Sequence, residues 1–81
     1  MKYLILNTPH GEVPILFGGS LIHRWVWESL GGLGVVGAGF VRLENGEPTC
    51  FGRSDSLNIA SRGAIDAALI TKNLMAPAKK P

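Results

Sequence analysis

The sequence predicts a small α+β domain, a two-layer ββαββα arrangement of antiparallel hairpins packed with two helices and completed by dimerisation. Three observations lead there. Short apolar runs separated by turn residues alternate with two stretches of helical spacing. The dipeptide Asn45-Gly46 stands between apolar flanks, a strong two-residue hairpin signal. Finally, 81 residues with 46% apolar content make a single domain that buries only about 60% of its unfolded surface, so added cover from a second copy is expected. We assign the domain to residues 1–76 and a flexible basic tail to residues 77–81.

The first element is the strand "KYLIL", followed by the turn "TPHG" and the strand "EVPILF". Pro9 suits the first central position of a turn. Pro14 lacks a ladder donor, which places the second strand at a sheet edge or a bulge. Ser20 is the expected cap of a helix "LIHRWVWESL" ended by Gly31 and Gly32. Leu21, Ile22, Trp25, Val26 and Leu30 share one side at helical spacing and are the expected core face. His23 and Trp27 lie one turn apart on the flank.

The hairpin around Asn45-Gly46 pairs Glu44 with Glu47, Leu43 with Pro48, Arg42 with Thr49, Val41 with Cys50, and Phe40 with Phe51. Gly39 is expected opposite Gly52. Alternation groups Val36, Ala38, Phe40, Arg42, Thr49 and Phe51 on one face, with Val35, Val41, Leu43 and Cys50 on the other. Both faces are apolar, which again favours a second copy as cover. The last element is a helix from about Arg62 to Leu74, capped by Ser61. Its expected core contacts are Ile65, Ala68, Leu69 and Leu74, with Ile70 widening the apolar arc, and Pro77 stops it.

Charge narrows the choice of partners. The net charge is +2, and Lys79 and Lys80 carry the whole excess. A nucleic-acid module has a clustered basic footprint, and the body of this chain is neutral, so nucleic acid is the least favoured partner. The apolar start is too short for a signal-peptide core or a membrane span, and a cytoplasmic location is expected. One cysteine, Cys50, excludes an internal disulfide. His10, His23 and the scattered carboxylates show no metal-ligand spacing and no nucleophile–base pattern, so we assign no catalytic residue, metal or cofactor.

Two groups of residues remain as site candidates. Arg53, Ser54, Ser56, Asn58, Ser61 and Arg62 precede a helix start, where guanidinium groups and free N–H groups favour an anion. His23, Arg24, Trp27, Phe40 and Phe51 form the expected interface, since aromatic and arginine side chains are enriched at interface centres. The leading expectation is a non-enzymatic protein-binding module, a homodimeric inhibitor or adaptor that occludes a partner protein. Its size suits a phage or mobile-element protein. The second reading is sequestration of a phosphorylated metabolite or nucleotide between subunits. The third is weak nucleic-acid binding, for which Phe40 and Phe51 form a stacking pair beside Arg42.

Overall fold

The computed structural model describes residues 1–75; the expected tail, 77–81, lies outside the described residues. The chain forms a small α+β domain with antiparallel sheets and two helices. Its elements are β1 (Lys2–Thr8), β2 (Gly11–Phe17), α1 (His23–Ser29), β3 (Gly34–Glu44) and β4 (Glu47–Phe51). There follow the two-residue strands β5 (Arg53–Ser54) and β6 (Ile59–Ala60), then α2 (Ala64–Ile70), which runs into a π-helical turn, Thr71–Met75. No helix among these residues is long and apolar enough to cross a membrane.

The main sheet has the order β2-β1-β3-β4, and β5 pairs with β6 in a separate small hairpin. The register from Phe40↔Phe51 to Glu44↔Glu47 is the one that Asn45-Gly46 dictates. Both turn residues take positive φ, 55° and 81°, as a type I′ turn requires. Beyond Phe51 the ladder ends, and Gly52 turns away to present its carbonyl to the Ser61 N–H.

β1 lies second in the sheet, hydrogen-bonded on both sides, so its side chains supply both cores. Tyr3 and Ile5 pack with Val41, Cys50 and Ile70 under α2. Leu4 packs with Phe17 and Ala38 on the opposite face, against Val26 and Trp27 of α1 and Ile59 of β6. The molecule therefore has three layers rather than the expected two. One helix packs on each face of the sheet.

A bulge alters the expected faces of β3. Ile5 pairs with Gly37 but Leu6 pairs with Val35, so Val36 is skipped. The extra residue reverses alternation before it. Val36 joins the α2-side core and Val35 the α1-side core, the opposite of the expected assignment.

The helices keep their expected period but change phase. α1 starts at His23 with Ile22 at its N-cap in an extended conformation and no side-chain cap bond, so Ser20 does not cap it. Its inward residues are His23, Val26 and Trp27, spaced i, i+3, i+4. Trp25, placed in the core by sequence, is instead 63% exposed. The phase is set where His23 inserts between Phe17 and Phe40, ring edges to faces at 5.3 and 6.1 Å, and hydrogen-bonds Gly39. In α2 the buried residues are Asp66 and Ile70, and Ile65 and Leu74 are exposed. The helix begins two residues later than expected, at Ala64, and its N-cap is Gly63, not Ser61.

Both edge strands carry a proline. Pro14 of β2 faces Ile5, and Pro48 of β4 faces Leu43. An edge-strand proline is accommodated where its missing N–H lies on the side away from the ladder. Each outer edge thereby loses a donor that another strand would use.

Candidate functional site

The polar stretch 50–63 does not fold into one cradle; the sheet divides it. Ser54 is fully buried, and its hydroxyl accepts the Leu57 N–H at 3.2 Å. Ser56 Oγ accepts the Arg24 N–H at 3.2 Å, tying the β5–β6 loop to α1. Arg53 lies 3.3 Å from Asp55 and donates to Asn58 Oδ1. Asn58 holds a left-handed conformation, φ 55°, which asparagine tolerates better than most residues.

Ser61 and Arg62 face the other way, toward α2. Arg62 Nε donates to Asp66 Oδ1 at 2.7 Å, and its terminal nitrogen donates to Glu12 at 2.8 Å. The Arg62 backbone N–H also reaches Asp66 Oδ2, at 2.8 Å. The guanidinium of Arg62 is thus occupied by two carboxylates, Glu12 foremost, which hold its pKa above the ordinary value. It joins β2 to α2 and is not directed at the same ligand as Arg53.

At the centre of this clasp Tyr3 donates its phenolic proton to Asp66 Oδ2 at 2.5 Å, and Ser61 Oγ lies 2.7 Å from the same phenol. Burial, then the adjoining carboxylate, push the phenol pKa well up, so Tyr3 stays a donor. Gly37 is required for this approach: a Cβ there would collide with the Asp66 carboxylate. Burial likewise raises the neighbouring Cys50 thiol, which serves as a small core side chain. Tyr3, Glu12 and Asp66 were not among the sequence-derived candidates. The available signal was an aspartate one turn before Ile70, inside the apolar arc of the last helix.

The five expected interface residues also separate. His23 is 4% exposed and donates from Nε2 to the Gly39 carbonyl at 2.9 Å. Desolvation lowers its pKa, and the ring is a core group rather than an interface contact. Trp27 packs on the α1-side core and donates Nε1–H to the Leu33 carbonyl at 2.5 Å. Arg24 stays on the surface, 3.3 Å from Glu28. Phe40 and Phe51 stack with centroids 5.8 Å apart and planes at 25°. The Arg42 guanidinium sits 4.8 Å over Phe51 while pairing with Glu44 at 2.7 Å. Hydrogen bonds from Arg42 and Thr49 lower the Glu44 pKa.

Among the described residues two apolar surfaces stand out. One is the outer side of α1, where Leu21, Ile22, Trp25 and Leu30 are 45%, 39%, 63% and 39% exposed. The other is a cleft of about 500 Å³ on the α2 side, lined by Met1, Leu16, Val41, Leu43, Ile70 and Leu74 among others. No family model, curated protein or solved structure matches the chain, so its function has to be argued from these side chains.

Proposed function

We propose that the protein is a small non-enzymatic protein-binding module that self-associates through the outer face of α1 and acts as an inhibitor or adaptor. The observation that carries this reading is the exposed apolar surface made by Trp25 of α1 together with Leu21, Ile22 and Leu30 at the two ends of the helix. A large exposed tryptophan among aliphatic residues has the composition of an interface centre.

A second copy fits this surface by charge. Arg24 and Glu28 flank it one turn apart, each about half exposed. When two α1 helices pack antiparallel about a two-fold axis, Arg24 of one copy faces Glu28 of the other. One patch then meets itself in an isologous contact. The interface centre moves from Trp27, which points inward, to Trp25.

Sedimentation equilibrium of the wild-type protein at micromolar concentration is expected to give a dimer. Trp25→Glu should give a monomer with an unchanged far-ultraviolet dichroism spectrum, because the side chain makes no core contact. A wild-type monomer throughout that range would remove the proposal.

A further inference from the structure

On the α1 side of the sheet the register aligns Lys2, Phe40 and Phe51 as one cross-strand row over β1, β3 and β4. Direct cross-strand partners project from the same face. Arg42 caps the row at the Phe51 end. At the Phe40 end a cleft of about 250 Å³ is lined by Lys2, His23, Phe40, Arg53, Asp55 and Ser56 together with Ile22. Two cations 51 positions apart in the chain thus line one cleft beside an aromatic pair, which linear charge counting does not show.

We propose that this shelf binds a nucleotide unit, its base on Phe51 and its phosphate between Lys2 and Arg53. The Phe51 side chain is accessible, the residue being 40% exposed. Phe40 stacks on one side of the ring and the Arg42 guanidinium lies over it, so the base takes the place of Arg42, whose ion pair with Glu44 is itself exposed and weak. Bases stack on such rings and on guanidinium planes alike. At the other end Lys2 gives one of its three N–H donors to the Leu21 carbonyl at 2.7 Å, leaving two for a phosphate. Arg53 is held by Asn58 and, at 3.3 Å, by Asp55, whose side chain is 95% exposed. So exposed an ion pair is weak, and a phosphate displaces the carboxylate readily. His23, also in this cleft, is neutral near pH 7 because burial depresses its pKa, and it contributes shape rather than charge.

Lys2, Arg42 and Arg53 are opposed locally by Glu44 and Asp55. Binding is therefore modest and depends on salt. The phosphate and base belong either to a single strand or to a free nucleotide, and the measurement separates them. Fluorescence anisotropy with a labelled oligothymidylate and calorimetry with thymidine monophosphate and inorganic phosphate are run at low salt.

Saturable oligothymidylate binding without monophosphate binding identifies a strand, and saturable monophosphate binding identifies a free nucleotide. In either case Phe51→Ala weakens binding about 5- to 150-fold, the range found for loss of one stacked base. Arg53→Ala weakens it as well, and Asp55→Asn, at a solvent-exposed carboxylate, strengthens it. Ile22 borders both this cleft and the α1 surface, whereas Trp25 does not line the cleft, so Trp25→Glu leaves binding by the monomer unchanged. Absence of binding by both probes at low salt overturns the proposal. So does inorganic phosphate binding as tightly as the nucleotide, or affinity indifferent to both Phe51→Ala and Arg53→Ala.

Discussion

Asp66 shows how one side chain organises its surroundings. It is fully buried and receives Tyr3 Oη–H, Arg62 Nε–H and the Arg62 backbone N–H. Removing one member of a buried charged pair costs about 3–5 kcal/mol, because the groups left behind are uncompensated. For a domain of this size, with a total stability on the order of 4–12 kcal/mol, that is a large share. Asp66→Ala, which strips Tyr3 Oη–H and the Arg62 backbone N–H of their buried acceptor while Arg62 keeps Glu12, is expected to lose about 3–5 kcal/mol, and Tyr3→Phe about 1–3 kcal/mol. Urea titration of both variants distinguishes them; equal midpoints would show that the carboxylate is not the hub. His23 gives a pH dependence. Its folded pKa is depressed by burial, so below the ordinary value the unfolded chain binds more protons and stability falls with falling pH. The urea midpoint should decline as pH drops below about 6.5. His23→Gln, which keeps a donor for the Gly39 carbonyl, should flatten that decline.

At the scale of elements, the hairpin of β3 and β4 was legible because its information is local. Asn45 and Gly46 both accept positive φ, and a two-residue turn leaves one register. Helix α1 was legible in period but not in phase. Leu21, Ile22 and Trp25 make as good an apolar stripe as His23, Val26 and Trp27, and spacing alone does not choose between them. The choice falls to His23 because its ring finds a carbonyl 16 residues away, between two phenylalanines. The edge prolines have a testable consequence for the sheet. Pro48→Val restores an outward N–H on β4 and should promote association or aggregation, read by light scattering against the wild type. An unchanged scattering profile would show that Pro48 does not guard this edge.

For the whole molecule, the decisive feature is that β1 lies inside the sheet with a helix on either face. Self-association is then expected to add an interface without completing a core. The Trp25→Glu monomer should accordingly unfold in a single cooperative transition; a non-cooperative monomer would mean that a second copy does complete the fold. The sequence by itself determined the α+β class, the turn at Asn45-Gly46, the strand pairs around it and the presence of two helices. All of these follow from residues within a few positions of one another. Tertiary structure alone decided which helix faces turn inward, how the bulge at Val36 exchanges the two valines, and that Arg53 and Arg62 part company. Those outcomes depend on contacts such as Tyr3 with Asp66, 63 residues apart. A buried polar group must find its partner wherever the chain places it, and that search overrides local periodicity.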